Sequence, residues 1–275
     1  MLIGIQAVFV YYRYISPLHI PRSEHQMPFS LVRIRHITLI PVLSLLIILP
    51  ACAQTEAQQE TDSAGIYESR RASRDGIGKL YMGREISHVM GFAGASWLER
   101  PERDAEEATS QLVAQLPLEP DDVVADIGAG TGYFAFRMAQ RVPEGKVFAV
   151  DIQQEMLDVM ALRKERASIQ NVTLIKGTES NPGLPADSVD LILMVDVYHE
   201  FAYPYEMGQG MVEALKKGGK IVLIEYRAED PSVPIKPLHK MTEKQSRAEM
   251  EAVGLKWMET KDFLPQQHFM VFEKP

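Results

Sequence analysis

From residue 122 onward, short runs of apolar and β-branched residues alternate with longer stretches in which apolar positions recur every three or four residues. A strand buried on both faces reads as a continuous apolar run, whereas a helix lying on a sheet shows a stripe at the helical period. The alternation therefore predicts a parallel α/β sheet with helices on both faces. Strands are expected at 122–127, 146–151, 172–176, 189–195 and 219–226, with helices at 131–142, 153–166 and 204–216. A last helix at 243–253, ended by Gly254, leads into two strand-like runs at 255–260 and 268–272. Ahead of the sheet, residues 65–100 predict short helices and loops. Asp104 and Glu107 have the spacing of a capping box, and Ala105, Ala108, Leu112 and Leu116 follow at helical spacing until Pro117 stops the run.

The first fifty residues have another character. Ile37 to Leu49 is almost wholly apolar, follows Arg33, Arg35 and His36, and runs into Leu49-Pro50-Ala51-Cys52. A basic flank, a short apolar segment and a small residue before the cut are the pattern of a signal peptide, and the apolar run is too short for a comfortable membrane span. The chain's single cysteine, Cys52, stands where bacterial lipoprotein signals place the residue that is acylated. Met27 is then the natural start, and residues 1–26 are an upstream extension. The expected organisation is a signal segment over 1–51, a polar tether over 52–64, a helical cap over 65–118 and one domain over 119–275. That places the domain in the bacterial cell envelope, facing the periplasm and attached to the membrane through Cys52. The alternative is an uncleaved anchor with the domain facing the cytoplasm.

Charge narrows the partners. Loss of residues 1–51 takes four of the 29 basic residues and one of the 37 acidic, leaving 25 against 36 and a net charge of −11. Such a balance repels phosphate backbones, and no basic stripe with interleaved aromatics is present, so nucleic acid is excluded as a partner. Oligomeric state is not legible.

The strand at 122–127 ends in Asp126-Ile127-Gly128-Ala129-Gly130-Thr131-Gly132 and opens a helix. Glycines at alternating positions let backbone approach a ligand where a Cβ would intervene. The dinucleotide fingerprint needs glycine at 133, where this chain has Tyr133, which argues against NAD. The next strand ends on Asp151, placed to accept hydrogen bonds from ribose hydroxyls. Together these predict an adenosine-ribose pocket without a pyrophosphate. Asp126 as a turn-forming carboxylate and Asp151 as a helix cap are the structural alternatives.

These residues resemble the class I S-adenosylmethionine-dependent methyltransferases. The likeness continues through Val150-Asp151-Ile152, Gly177-Thr178-Glu179, the run Asp190 to Asp196, and the run Leu215 to Glu225, covering roughly residues 105–275 in order. It implies a Rossmann-like, seven-stranded, mostly parallel sheet whose last strand is antiparallel, with S-adenosylmethionine as cofactor. It further implies cofactor binding by Asp126, Gly128, Ala129, Gly130, Gly132, Asp151, Ile152, Thr178, Glu179 and Asp196. Ile152 would pack on adenine, Thr178 and Glu179 would lie near its edge, and Asp196 near the amino end of the methionine moiety. Small-molecule methyltransferases of the quinone and arsenite kinds are the most similar. The arsenite branch uses several cysteines, and the quinone branch differs ahead of the glycine turn, so neither acceptor transfers.

Candidates for positioning or deprotonating a small-molecule acceptor are Tyr198, His199 and Glu200, just past the fourth strand. His199 bonded to a loop carbonyl is the alternative. The run Glu225 to Asp230 with His239 is placed either to line a pocket or to hold its loop by ion pairs. His199, Glu200, His239 and His268 match no metal-ligand spacing, so no metal is expected. Lys79, Tyr81, Arg84 and Trp97 lie where this family commonly builds a lid. Because S-adenosylmethionine is made in the cytoplasm, an exported chain also admits a non-catalytic binding or scaffold module.

Overall fold

The computed structural model describes residues 65–275; the signal segment, Cys52 and the tether lie outside the described residues. Strands β1 (Tyr67–Ser69), β2 (Gly76–Tyr81) and β3 (Arg84–Ser87) form a small antiparallel sheet. Short helices α1 (Ala95–Leu98), α2 (Arg103–Glu107) and α3 (Thr109–Gln115) follow. The main domain then alternates β4 (Val123–Ile127), α4 (Tyr133–Arg141), β5 (Lys146–Asp151), α5 (Gln154–Arg166), β6 (Val172–Lys176), β7 (Val189–Val195), α6 (Pro204–Ala214), β8 (Leu215–Tyr226), α7 (Glu243–Ala252), β9 (Lys256–Lys261) and β10 (Gln267–Glu273).

The sheet has the order β6-β5-β4-β7-β8-β10-β9, and β10 runs antiparallel to both neighbours. The expected seven strands are present, with the last in chain order reversed. Alternate residues of each strand face two separate cores. Val124, Leu191, Leu193, Val222 and Ile224 pack under α3, α4 and α5. Ala125, Ile192, Met194, Ile221 and Leu223 pack against Met207 and Met211 of α6 and Met250 of α7. Local chemistry sets the helix starts: Pro204 occupies the first turn of α6, and Thr242 Oγ1 accepts from Gln245 N at 3.1 Å to cap α7.

The cap departs from expectation in two places. Residues 67–87 are strands, not short helices. Met82 and Gly83 both have positive φ, 48° and 84°, which makes a two-residue hairpin turn whose twist matches the flanking strands. Gly76 leaves room for the buried Glu85 carboxylate, which accepts from Ser73 N at 2.9 Å and Gly78 N at 3.2 Å, and Gly78, at φ 76°, lies so close to the Arg70 carbonyl that a Cβ would not fit. The helix expected from Asp104 to Leu116 is broken at Ala108, which adopts φ 51°. Asp104 Oδ1 accepts from Thr109 Oγ1 and Ser110 N, so it caps α3 and not its own helix. Glu107 turns inward to the Arg100 and Arg103 guanidiniums and accepts from Tyr226 Oη at 2.9 Å.

Arg84 ties the small sheet to the domain. Its Nε and Nη2 donate to both oxygens of Glu249 on α7, at 2.7 and 2.8 Å, and its Nη1 donates to the His199 carbonyl at 3.2 Å. Both side chains of the pair are buried. Removing one partner of such a pair strands the other charge, at a cost of about 3–5 kcal/mol. Arg84→Ala is therefore expected to lower stability by about that amount, read as a fall in the urea midpoint at unchanged m-value.

Candidate functional site

The order of strands reverses between β4 and β7, and a crevice opens beyond the carboxyl ends of the sheet there. A cavity of about 820 Å³ occupies it, well inside the range of about 300–1,000 Å³ typical of small-molecule pockets. At one end lies the glycine turn. Gly128 N and Ala129 N both donate to Val150 O at 2.9 Å, and Gly130 N donates to Asp151 Oδ2 at 2.8 Å, so the turn is pinned to the end of β5. Gly128 has φ 72°, and a Cβ on it would overlap Val197 Cγ2. A Cβ on Gly130 would come within 2.6 Å of Leu98 Cδ1, since the cap lies directly over the turn.

Of the expected cofactor residues, Gly128, Gly130, Asp151, Ile152, Thr178, Glu179 and Asp196 all line this cavity. Asp126, Ala129 and Gly132 are not among its lining residues. Gly132 serves the start of α4 with φ 84°, where a Cβ would meet the Phe136 ring at 2.5 Å. Asp126 is buried beneath the turn, its Oδ2 without a partner. Burial pushes its carboxyl from the ordinary 3.8 up to about 7, against the pull of the Ala135 amide.

Asp151 both caps the following helix and lines the cavity. Oδ1 accepts from Gln153 N at 2.8 Å at the head of α5, Oδ2 holds Gly130, and the carboxylate still faces the cavity with spare lone pairs. Burial raises its pKa, with the Gln153 and Gly130 amides opposing. Asp196 has φ 51°, a conformation that Asp tolerates better than most residues. Its Oδ2 accepts from Gln267 Nε2 at 2.9 Å, while Oδ1 is buried without a partner. Burial, then Glu107 and Glu225, hold this carboxyl well above its usual range.

The opposite wall carries the second group of candidates. His199 Nδ1 lies 2.6 Å from Glu225 Oε2, and His199 N donates to Glu225 Oε1 at 3.2 Å. A carboxylate only accepts, so Nδ1 carries a proton, and in the neutral ring Nε2 is the acceptor. That Nε2 lies 3.1 Å from Nδ1 of His239, in the loop before α7, and Glu200 stands beside both rings. Tyr198 does not join them. It is buried in the core against Phe201, with the Arg84 guanidinium 5.8 Å from its ring, because adjacent residues of a 3₁₀ turn point about 120° apart. His268 pairs instead with Glu229 at 2.9 Å.

Of the expected lid, Lys79 and Trp97 line the cavity, with Lys79 Nζ 3.2 Å from the Tyr203 ring centroid. Tyr81 is core and Arg84 is a brace. Residues not anticipated include Val197, Gln153, whose Nε2 donates to Met90 O at 3.0 Å, and Arg103, which donates to Leu98 O at 2.9 Å. Only Gln153, directly after Val150-Asp151-Ile152, had a positional signal in the sequence.

A family model described as a methyltransferase domain matches residues 118–268, more than half of the chain. The chain belongs to the class I methyltransferase family. A solved S-adenosylmethionine-dependent methyltransferase from Aquifex aeolicus shares the fold, with a TM-score of 0.64 and 20% identity over 68% of this chain and all of that one. The tRNA U34 carboxymethyltransferase of Desulfotalea psychrophila is 27% identical over 43% of this chain. The demethylmenaquinone methyltransferase of Symbiobacterium thermophilum is 29% identical over 42%. The chain spans only 37% and 47% of the length of these two relatives.

S-adenosylmethionine is the cofactor that membership implies, and the residues present fit it. The unpartnered Asp196 Oδ1 suits an ammonium donor, Asp151 suits paired hydroxyls, and the turn at Gly128 and Gly130 admits no Cβ. A carboxyl raised on folding, such as Asp126, makes the native state bind protons more tightly than the unfolded one, so stability falls as pH rises from about 4 to about 7. Asp126→Asn is expected to remove a slope of at most about 1.4 kcal/mol per pH unit through that window, measured as urea stability at pH 4, 5.5 and 8.

Proposed function

We propose that the chain transfers a methyl group from S-adenosylmethionine to a small-molecule acceptor bound between the glycine turn and the His199 wall. The observation that carries this reading is a single cavity with an unpartnered carboxylate oxygen, Asp196 Oδ1, at the cofactor end and a histidine lone pair, His199 Nε2, on the opposite wall. The cofactor supplies a methyl group already activated by a positively charged sulfur. What is left to the protein is alignment and the exclusion of water. Gly128 and Gly130 seat the methionine part, Asp196 takes its ammonium, Asp151 the ribose hydroxyls, and Ile152, Thr178 and Glu179 border the adenine. Trp97 and Leu98 cover the turn, and Ile77, Val89 and Tyr203 give the mouth an apolar rim for the acceptor's body. His199, oriented by Glu225, and Glu200 position the acceptor's nucleophilic group.

Calorimetry on the full chain tests this directly. A charged hydrogen bond contributes about 1.5–3 kcal/mol, so Asp196→Asn is expected to weaken S-adenosylmethionine binding about ten- to a hundredfold. A folded wild-type chain that does not bind the cofactor would leave the non-catalytic binding module as the better account.

In the same proposal, Cys52 is acylated and attaches the domain to the cell envelope on its periplasmic side. Intact-mass analysis of the membrane fraction is expected to show a chain beginning at lipidated Cys52. A chain retaining residues 27–51 would favour the uncleaved anchor.

A further inference from the structure

His199, Glu200 and His239 come from two loops forty residues apart in sequence and converge on one point of the cavity wall. His199 Nε2 and His239 Nδ1 are 3.1 Å apart, and Glu200 Oε1 is 3.8 Å from the first and 3.6 Å from the second. The carboxylate distances are too long for hydrogen bonds, which for these atoms run about 2.7–3.2 Å. The carboxylate is therefore aimed at two ring nitrogens without being bonded to either. Nitrogen and oxygen ligands about 2.0–2.1 Å from a tetrahedral ion are separated from one another by about 3.3 Å. The three observed separations bracket that edge.

The surroundings have the form that metal-binding histidines need. The far nitrogen of His199 is held by Glu225, which is fully buried and also accepts from the His199 amide. A carboxylate behind an imidazole fixes its tautomer and strengthens it as a ligand. Arg84 and Ser87 both donate to the His199 carbonyl, so the small sheet braces the backbone that carries two of the three groups. Two carboxylates, one at the point of convergence and one behind it, match the charge of a divalent ion.

We propose that His199 Nε2, Glu200 and His239 Nδ1 bind a divalent transition-metal ion of the zinc class. Two imidazoles and a carboxylate suit such an ion and leave at least one coordination position open. That position faces the cavity, so the ion selects acceptors that offer an oxygen or sulfur donor. This use of the ion rests on the reading of the cavity as an acceptor site, whereas the ion site itself stands on the three side chains alone. The competing arrangement is a plain hydrogen bond from His239 Nδ1 to His199 Nε2.

The test is zinc titration of the chelator-treated full chain, prepared without a polyhistidine tag, with S-adenosylmethionine binding measured on the same samples. One equivalent of zinc is expected, and cobalt in its place is expected to give visible absorption bands. Glu200→Gln and His239→Gln should each weaken zinc at least tenfold and abolish the cobalt bands, while His268→Gln leaves both unchanged. A chain that binds S-adenosylmethionine and takes up no zinc overturns the ion site and leaves the methyltransferase reading intact. Zinc affinity unaltered in both Glu200→Gln and His239→Gln overturns it as well. One equivalent of zinc in a chain that fails to bind S-adenosylmethionine supports the ion site and counts against the methyltransferase reading.

Discussion

The close approach of Gly128 to Val197 is the constraint on which the rest of the site depends. Strands β4 and β7 are neighbours whose chains leave the sheet toward opposite flanks, and the first residue beyond β4 meets the second beyond β7 without room for one methyl group. That contact sets the depth of the crevice. It brings the glycine turn and the Asp196 to Glu200 loop to a common cavity, and the hydrogen bonds from Gly128 and Ala129 to Val150 add the end of β5 to the same rim. The family's cofactor edge is thus a consequence of strand order and one missing side chain.

Around that rim the chain concentrates negative charge. Asp151, Asp196, Glu107 and Glu200 line the cavity, with Asp126 and Glu225 buried alongside, and Arg100 and Arg103 offset part of this through Glu107. Carboxylates removed from water are costly unless paired, and the raised pKa values of Asp126, Asp151 and Asp196 are the signature of that cost. A cationic ligand relieves it. The acidic wall and the positively charged sulfonium and ammonium of the cofactor are complementary in sign, although no single residue pattern announces this.

How much of this was legible in the sequence varied with the range of the forces involved. Continuous apolar runs marked β4 to β7 to within a residue, because burial on both faces leaves little alternative at 123–127 or 189–195. The small sheet was missed because Gly76 makes room for the Glu85 carboxylate, nine residues on, and glycine alone reads as a loop. The break at Ala108 follows from Glu107 turning inward to two arginines and Tyr226, a contact that helical periodicity cannot register. Tyr198 and His199 looked equivalent as neighbours, but one short turn sends the first into the core and the second to the cavity. His239 had no spacing to connect it to His199, since only the fold brings the two loops together.

The segment over the glycine turn is fastened in an unequal way. On the inner side Arg103, itself buried, holds the Leu98 carbonyl. On the outer side Glu99 reaches the Arg163 guanidinium and Thr131 Oγ1, with both charged side chains about one-third exposed. An ion pair so open to water contributes about 0–1 kcal/mol and weakens with salt. The outer fastening is therefore the weaker of the two, and the buried arginine at Leu98 is the stronger. The roof of the glycine turn thus has one fastening that salt weakens and one that is shielded from it.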